Sequence, residues 1–379
     1  MTEQLKTSAL YETHQQTGAK FTDFAGWDMP LRYDSERVEH QAVRTHAGIF
    51  DLSHMGNLLI SGPSAVELLN SSLAGNFAPM AIGRAKYTLA LTESGGIVDD
   101  MIVYRLGEDR FMVVPNAANV DPVRDQIAGV NQGLAQPAEL VDTTEHTAII
   151  AVQGPAAEQI VASVLTDLID EHAASVVTEL GYYRCARWEI DNLGELVVAR
   201  TGYTGEDGFE LFLDATQAVS LWEKLRAADE QLLPCGLACR DSLRLEAGMP
   251  LYGHELTKHT TPAEAGSLGV VSAKKTEDFP GRAAVDTDRE NEATPVRVLI
   301  GLQGTGRRAA REGAHLLDEQ GQPIGEVSSG QLSTTLGYPI ALAYIQAPAP
   351  EPGTVLTVDI RGKQHEFTVV PLPFYQRNR

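Results

Sequence analysis

Cysteine is scarce in this chain of 379 residues, where it occurs only at positions 185, 235 and 239. Three cysteines cannot build a disulfide framework, and an odd number is typical of a reducing compartment. Cys235 and Cys239 are four positions apart and could supply two metal ligands, but the sequence offers no second cysteine pair and no nearby histidine. We therefore expect no metal site.

Long apolar runs and basic charge are also lacking. No uninterrupted apolar segment approaches the roughly 20 residues that a transmembrane helix needs, and the amino terminus has neither signal-peptide nor transit-peptide character. Thirty basic residues stand against 51 acidic ones, which gives a formal net charge of −21. Such a charge repels nucleic acid and anionic membranes, so we expect neither as a partner. The lack of a membrane span and of a targeting segment predicts a cytoplasmic protein.

A chain of this length is too long to fold around one hydrophobic core of ordinary size, so we expect two or three domains. Between residues 57 and 200, short apolar strands alternate with helix-like segments, which predicts an α/β or α+β layer. The segment 272–295 is charged and contains Pro280-Gly281, features typical of a surface connection. Five short β-rich runs follow between residues 296 and 370, and this spacing favours a small barrel or sandwich.

Two consecutive carboxylates, Asp99 and Asp100, interrupt an apolar run that follows the turn signal Gly95-Gly96. The β-branched residues of the run predict a buried strand, where an unpaired ionised carboxylate is costly. Because side chains alternate along a strand, Asp99 and Asp100 must point to opposite faces. Either both cap the turn, or one of them is retained for chemistry.

Three glycines, at every third position, mark residues 200–211. Their spacing matches neither the dinucleotide fingerprint nor a P-loop, and it predicts a strand, a glycine-rich turn and a returning strand. The turn brings Tyr203 near Glu210, and an aromatic face beside a carboxylate suits a flat heterocycle with paired N–H donors. Alternatively, the two residues only lock the hairpin.

A helix is predicted over residues 237–246, where Asp241 and Arg244 are spaced to pair at i,i+3. Arg240 has no obvious partner on this helix. Its side chain could be solvated, or it could reach a carboxylate or carbonyl of a ligand.

The segment Asp51-Leu-Ser-His54 indicates a loop that holds its side chains in a particular place. His54 could act as a base or as a ligand. A single histidine beside serine and aspartate is more often a hydrogen-bonded structural residue, and we favour that interpretation.

Basic residues cluster locally at Arg307, Arg308 and Arg311 in this acidic chain. The cluster is a candidate docking site for an acidic partner, and a solvated loop is an equally good interpretation. Docking through exposed charges would depend on salt, because they are screened beyond about 8 Å at physiological ionic strength.

The motifs, taken together, resemble those of the glycine cleavage system T-protein family of aminomethyltransferases. The resemblance covers residues 8–375 and rests on the following segments in this order: Phe24-Ala-Gly-Trp-Asp-Met-Pro30, Phe50-Asp-Leu-Ser-His-Met-Gly56, Gly95-Gly-Ile-Val-Asp-Asp100, Gln153-Gly-Pro155, Arg200-Thr-Gly-Tyr-Thr-Gly-Glu-Asp-Gly-Phe-Glu210 and Pro373-Phe374.

The family resemblance implies an α+β protein, a multidomain cloverleaf of mixed α/β units around a central folate channel, with a small C-terminal β-barrel. The implied folate-binding region is 1–271, made of two interleaved units, 1–56 plus 141–271 and 57–140. A connection at 272–296 and the barrel domain at 297–379 follow. The implied reaction transfers a one-carbon unit from the aminomethyl-lipoyl carrier (H) protein to tetrahydrofolate, without a metal.

Residue roles follow only where the motifs match. The resemblance implies that Asp100 is the catalytic carboxylate, that Glu210 holds the pterin edge and that Arg240 contacts the folate. The further positions that it implies along the folate channel are Met55, Tyr87 and Tyr203.

The chain departs from the family pattern at Leu268-Gly269, where relatives often have an aromatic residue, and the role of Tyr375 is open. Two other functions remain as alternatives. One is a related folate-dependent demethylase or the folate domain of a dehydrogenase. The dehydrogenase domain is disfavoured because no flavin-binding region is appended. The other is a non-catalytic folate-binding protein of the same fold, which typically carries a Lys-Gly-Cys-Tyr-type motif that this sequence lacks.

Overall fold

The computed structural model describes residues 4–290 and 295–377. Within these ranges the chain forms two compact units, which we describe separately. The first unit comprises the residues up to Leu69 together with Phe77–Tyr87 and Met101–Asp241. The second comprises Asn70–Asn76, Thr88–Asp100 and the residues from Ser242 onward. The domain boundaries expected from the sequence stay predictions.

The helices, in chain order, are α1 (Tyr11–Gln16), α2 (Glu36–Thr45), α3 (Ala65–Ser72), α4 (Val120–Gln132), α5 (Ala157–Leu168), α6 (Glu171–Thr178), α7 (Ala218–Ala228), α8 (Leu237–Glu246) and α9 (Arg282–Glu290). At the start of α2 the side chain of Ser35 accepts a hydrogen bond from the backbone N–H of Val38, which satisfies an otherwise unpaired donor of the first turn. In the part of the chain that the structure describes, no helix combines the length and apolar character that crossing a bilayer requires.

The strands, in chain order, are β1 (Lys20–Phe24), β2 (Trp27–Arg32), β3 (Gly48–Asp51), β4 (Leu58–Ser61), β5 (Ala85–Leu91), β6 (Ile97–Gly107), β7 (Arg110–Val114), β8 (Glu139–Asp142), β9 (Thr147–Gln153), β10 (Cys185–Ile190), β11 (Gly194–Ala199), β12 (Gly208–Asp214), β13 (Leu233–Pro234), β14 (Arg297–Gly304), β15 (His315–Leu317), β16 (Pro323–Leu332), β17 (Pro339–Gln346), β18 (Val355–Asp359) and β19 (Gln364–Val370).

The first unit is built around a six-stranded sheet with the order β10-β11-β12-β9-β3-β13. Neighbouring strands are antiparallel except β13, which runs parallel to β3. Helices α5 and α7 pack on this sheet, and buried aliphatic side chains such as Ile150, Leu211 and Leu221 fill the core. A five-stranded sheet has the order β5-β6-β7-β4-β8, and the boundary between the two units falls inside β5 and β6.

The second unit contains a closed barrel with the strand order β14-β17-β16-β15-β18-β19. Leu302, Leu316 and Val327 are among the fully buried side chains that form its core. The predicted α+β class with a small C-terminal barrel is therefore confirmed. The sequence did not indicate β15, because its three residues are too few to show alternation.

Part of the predicted surface connection, residues 291–294, lies outside the described residues. The preceding part is packed at Lys275 and Phe279, which are 3% and 6% exposed. The Lys275 ammonium donates to three carbonyls, those of Asn70, Leu73 and Gly75, and lies 3.8 Å from the centre of the Phe279 ring. Charge in this segment therefore did not mean solvent exposure.

Candidate active site

The side chain of Gln153 organises the glycine-rich loop between β11 and β12. Its Nε2 donates to the carbonyl of Thr201 at 3.0 Å, and its Oε1 accepts from the hydroxyl of Thr204 at 2.9 Å. A Cβ atom at Gly202 or Gly208 would overlap the Gln153 amide. The close approach of Gln153 therefore explains two of the three glycines that the sequence motif contains.

Glu210 lies in β12, opposite Ala199 of β11 and Ala151 of β9. Its Oε2 accepts hydrogen bonds from the hydroxyls of Tyr104 and Thr201, at 3.1 and 2.5 Å. Its Oε1 accepts none from the residues that the structure describes. One carboxylate oxygen is thus fixed by the protein, while the other has unused capacity to accept from a ligand.

The guanidinium of Arg240, on α8, lies over the ring of Tyr203, with its carbon 4.8 Å from the ring centre. Burial lowers the pKa of Arg240, and the neighbouring Glu210 and Tyr203 oppose this shift. Among the described residues, none accepts a hydrogen bond from this guanidinium. Its donors are therefore held beside a carboxylate and an aromatic face, an arrangement that fits a planar ligand with both donors and acceptors.

Asp51 organises the turn that follows β3. Its Oδ1 accepts from the N–H and the hydroxyl of Ser53, at 2.9 and 2.6 Å, and its Oδ2 accepts from Ser8 and His14, at 2.6 and 2.9 Å. Burial alone would raise the pKa of Asp51, but the hydrogen bonds and charge of His14 and the bonds of Ser53 and Ser8 outweigh it and hold the pKa at about 2. The turn carries Met55, which is half-buried.

His54 lies in the same turn and is 1% exposed. Its ring is edge-on to that of Phe24, with the ring centres 5.3 Å apart. Burial, followed by the charge of Arg240, lowers the pKa of His54 to about 4, and Asp51 opposes this shift only in part. No described residue hydrogen-bonds the ring, and its Nδ1 is buried. The interpretation of His54 as a hydrogen-bonded structural residue is therefore wrong, because Asp51 and Ser53 bond to each other.

Asp99 and Asp100 lie near the start of β6, in the second unit. Asp99 is fully buried and Asp100 is half-buried, as expected for side chains on opposite faces of one strand. Both have interaction partners. Burial raises the pKa of Tyr252, and the charges of Asp99 and Asp100 raise it further, so both carboxylates are electrostatic neighbours of that phenol.

The structure brings three of the sequence-predicted site residues together, namely Tyr203, Glu210 and Arg240. Met55 and Tyr87 are half-buried residues of the same unit, and neither hydrogen-bonds Glu210 or Arg240. Asp100 belongs to the second unit. The roles assigned to these six residues stay predictions.

Two residues that support the site were missed by the sequence reasoning, Tyr104 and Thr201. Both are 1% exposed and both donate to Glu210. Burial, followed by the Glu210 charge, raises the pKa of Tyr104, so its hydroxyl keeps its proton and remains a donor. The available signal was a tyrosine in a strand predicted to be buried, because a buried tyrosine hydroxyl usually has a hydrogen-bond partner.

Glu39, Cys235 and Cys239 form a buried group whose ligand atoms all lie within 4.8 Å of one another. The Glu39 carboxylate already accepts from three backbone N–H groups, those of Tyr33, Asp34 and Gly236. Burial, followed by its hydrogen bond with Cys235, raises the pKa of the Cys239 thiol well above its ordinary value. These contacts favour hydrogen-bonded packing over metal binding.

Two family models match the chain in succession. The "GCVT N-terminal domain" matches residues 10–275, and the "Glycine cleavage T-protein C-terminal barrel domain" matches residues 297–376. The fold and these two matches thus define a protein class that joins an α+β region to a C-terminal β-barrel.

Relatives of known name have the same extent. The aminomethyltransferase of Streptomyces coelicolor is 50% identical over 99% of both chains, and that of Corynebacterium jeikeium is 48% identical over the full length of both. The crystal structure of the glycine cleavage system aminomethyltransferase T from Bartonella henselae is similar with a TM-score of 0.88 and 37% identity, over 98% of each chain. The chain therefore belongs to the glycine cleavage T-protein family of aminomethyltransferases.

Proposed function

We propose that this chain transfers the one-carbon unit of an aminomethyl-lipoyl carrier protein to tetrahydrofolate. The carrier is the H protein of the glycine cleavage system, and the products are 5,10-methylene-tetrahydrofolate, ammonia and the dihydrolipoyl carrier. Membership of the T-protein family supports the reaction class. Within this chain, the observation that carries the proposal is that Arg240 and Glu210, which both have unused hydrogen-bonding capacity, lie together with the aromatic ring of Tyr203.

The chemistry exchanges two bonds of one carbon for two others. The carbon–nitrogen and carbon–sulfur bonds of the aminomethyl group break, and two bonds to folate nitrogens form. The two protons that those folate nitrogens lose end on the ammonia and on the lipoyl sulfur, so atoms and charge balance without an oxidant. Holding the two substrates in contact supplies most of the acceleration, since orientation alone provides effective molarities of about 10⁵ M or more.

Asp100 is the proposed catalytic residue. A carboxylate near the reacting folate nitrogen can hydrogen-bond that nitrogen and stabilise the iminium-like cation that develops as ammonia leaves. Its half-exposed position on β6 leaves it accessible, whereas Asp99 on the opposite face is fully buried. We therefore assign the chemical role to Asp100 and a structural role to Asp99.

The folate-holding role falls to residues of the first unit. The unused oxygen of Glu210 is the proposed acceptor for the N–H donors of the pterin edge, and Arg240 is the proposed donor to a folate acceptor. Tyr203 supplies an aromatic face, and Met55 and Tyr87 are proposed as further contacts with the ligand. The reaction as proposed needs no metal, and the cytoplasmic location expected from the sequence stays a prediction.

The decisive experiment is an anaerobic assay with tetrahydrofolate and the aminomethyl-loaded lipoyl carrier, in which methylene-tetrahydrofolate and ammonia are both measured. We expect equimolar products that depend on both substrates. Tetrahydrofolate alone should also raise the melting temperature, because a ligand that binds only the native state stabilises it. Glu210→Ala should abolish this shift at moderate ligand concentration, while Glu223→Ala, an exposed acid of α7, should keep it.

The alternatives give different results in the same assay. A non-catalytic folate-binding protein would show the shift in melting temperature without any turnover. A folate-dependent demethylase would act on a methylated amine and leave the loaded carrier intact. A full shift in Glu210→Ala would refute the assignment of the pterin edge.

A further inference from the structure

Glu210 has two alanines as its cross-strand neighbours on the six-stranded sheet. Ala199 of β11 and Ala151 of β9 lie directly opposite it. Larger residues in cross-strand pairs restrain each other through contact, and a methyl group offers little of this restraint. Glutamate is also among the side chains with the most rotamer freedom. The neighbouring strands therefore leave the direction of the Glu210 carboxylate open.

Two buried hydroxyls hold one oxygen of this carboxylate. Glu210 Oε2 accepts from the Thr201 hydroxyl at 2.5 Å and from the Tyr104 hydroxyl at 3.1 Å. The two hydroxyl oxygens lie 3.1 Å from each other. Neither hydroxyl has a further hydrogen-bond partner in the part of the chain that the structure describes. The three oxygens thus form a triangle in which Thr201 makes the shortest contact with the carboxylate.

The residues that carry the two hydroxyls are themselves fixed. Tyr104 is 1% exposed, and its ring packs against that of Phe212 with the ring centres 5.4 Å apart. The carbonyl of Thr201 accepts from Gln153 Nε2 at 3.0 Å, so the backbone that carries the Thr201 side chain is anchored as well. Each hydroxyl therefore has a defined position from which to donate to Glu210.

The other oxygen of Glu210 is accessible to a ligand. Oε1 has no hydrogen-bond partner among the described residues, and it is not one of the unpaired side-chain atoms that are buried. Glu210 as a whole is half-buried. One oxygen is thus held from inside the protein, while the second has open surface through which an N–H donor can approach.

We propose that Thr201, supported by Tyr104, is a positioning residue for tetrahydrofolate binding, which holds the Glu210 carboxylate so that its Oε1 meets the N–H donors of the pterin edge. This inference rests on the proposed function and adds two residues that the motif comparison did not assign. Thr201 and Tyr104 act through Glu210 and have no part in the chemical step. A carboxylate that is ordered before the ligand arrives loses less conformational entropy on binding, and the ligand binds more tightly for that reason.

The test deletes each hydroxyl in the full-length chain and measures the Kd for tetrahydrofolate anaerobically. Thr201→Val removes the hydroxyl at nearly constant volume, so we expect its Kd to rise roughly five- to tenfold, the scale of one hydrogen bond to a charged group. Thr201→Ser keeps the hydroxyl and should bind within about twofold of the parent. Tyr104→Phe keeps the ring against Phe212 and should raise the Kd by only about two- to threefold, because its contact is the longer one.

A double-mutant cycle with Glu210→Ala separates positioning from a merely structural role. Glu210→Ala removes the carboxylate that Thr201 holds, so adding Thr201→Val to it should change the Kd by less than about twofold. A residue that only supported the fold would weaken binding in both backgrounds. In turnover, Thr201→Val should raise the KM for tetrahydrofolate and leave kcat at saturating substrate unchanged, since the proposed catalytic carboxylate is intact.

Tyr344→Phe is the matched control for the loss of a buried tyrosine hydroxyl. Tyr344 lies in the barrel unit, is 6% exposed and donates to the carbonyl of Glu255 at 2.7 Å. Its variant should unfold at a lower urea concentration, because a buried hydrogen bond is lost, and it should keep the folate affinity of the parent.

The remaining outcomes overturn the inference. If Thr201→Val binds tetrahydrofolate as the parent does while Glu210→Ala does not, Thr201 does not position the carboxylate and the proposed function still stands. If Thr201→Val weakens binding equally in both backgrounds, it does not act through Glu210. Should Thr201→Val fail to fold, Tyr104→Phe in the same two backgrounds decides between these results. If the parent itself does not bind tetrahydrofolate, the proposed function fails and this inference with it.

Discussion

Arg240 lies 4.8 Å above the ring of Tyr203 and yet donates no hydrogen bond from its guanidinium to any described residue. Arg244, one turn further along α8, is in the opposite situation. Its guanidinium pairs with Glu255 at 2.9 Å and donates to Ser329 at 2.8 Å. One helix thus carries an arginine that pairs within the protein and an arginine whose donors have no acceptor among the described residues, and this difference is the basis for the ligand-binding role proposed for Arg240.

The first prediction concerns the geometry of Arg240. Arg240→Gln should weaken tetrahydrofolate binding by roughly 10- to 100-fold, because a charged donor to the ligand is lost. Arg240→Lys should recover only part of this loss, since an ammonium cannot reproduce the planar fork that stacks on Tyr203. Isothermal titration under anaerobic conditions measures both, with Arg37→Gln on the exposed face of α2 as the control. If Arg240→Gln binds tetrahydrofolate as tightly as the parent protein does, Arg240 is not part of the binding site.

The second prediction separates Asp99 from Asp100. Asp100→Asn keeps the volume and removes the charge that stabilises a developing cation, so kcat should fall by about 10²–10³ with folding intact. Asp99→Asn should act mainly through stability, by about 1–3 kcal/mol, because a buried hydrogen-bonding group is impaired. The measurement is kcat and the urea midpoint for both variants side by side.

The opposite pattern would reverse these roles. If Asp99→Asn lost turnover while Asp100→Asn stayed active and less stable, the catalytic face of β6 would be the buried one. If both variants stayed fully active, the strand would not carry the chemistry and a non-catalytic folate-binding function would gain support.

The third prediction is a pH dependence that originates at Asp51. Its folded pKa of about 2 lies below its ordinary value of 3.8, so the ionised form is favoured in the folded state. The stabilisation amounts to about 2 kcal/mol at neutral pH, begins to fall as the pH drops below about 4 and is lost as the pH falls through 2.

Asp51→Asn is the variant that checks this dependence. At pH 7 it should be destabilised by roughly 1–3 kcal/mol, because the substitution removes the charged acceptor of the buried hydrogen bonds from His14, Ser8 and Ser53. The difference in urea midpoint between the parent and Asp51→Asn should narrow between pH 4 and pH 2. A difference that stays constant over this range would mean that another group controls acid stability.

The fourth prediction concerns docking of the acidic carrier. Arg307, Arg308 and Arg311 are all exposed, but Arg311 also donates to the carbonyl of Gly330 at 3.2 Å, so its substitution would disturb the loop as well. Charge reversal of Arg307 and Arg308 together should raise the KM for the carrier several-fold at low salt and leave tetrahydrofolate binding unchanged. Reversal of Arg361, another exposed arginine of the barrel unit, is the control.

Salt dependence provides the second readout for this cluster. The effect of reversal should shrink as ionic strength rises, because exposed charges are screened beyond about 8 Å at physiological salt. If carrier kinetics are unchanged at low salt, the cluster is a solvated loop.

Much of this fold could be predicted from local patterns in the sequence. The span of α8, the cap of α2 at Ser35 and the short strands of the barrel follow from periodicity, capping and turn residues that each occupy a few consecutive positions. The placement of Asp99 and Asp100 on opposite faces of β6 follows from alternation alone.

Only the tertiary structure decided which side chains interact with one another. His54 stands beside Ser53 and Asp51 in sequence, yet Asp51 is bonded to Ser8 and His14, which come from the start of the chain. Glu39 meets Cys235 across 196 positions.

The same division holds at the candidate site. The sequence by itself determined that Glu210 follows a glycine-rich loop and that Arg240 lies on a helix, because both features are local. That Tyr104 and Thr201 occupy one oxygen of Glu210, and that neither His54 nor the Arg240 guanidinium finds a hydrogen-bond partner among the described residues, depended on contacts between distant segments. A hydrogen bond requires two groups to be close in space, but they can be far apart in the sequence. The groups of this site that lack hydrogen-bond partners could therefore be recognised only from the folded structure.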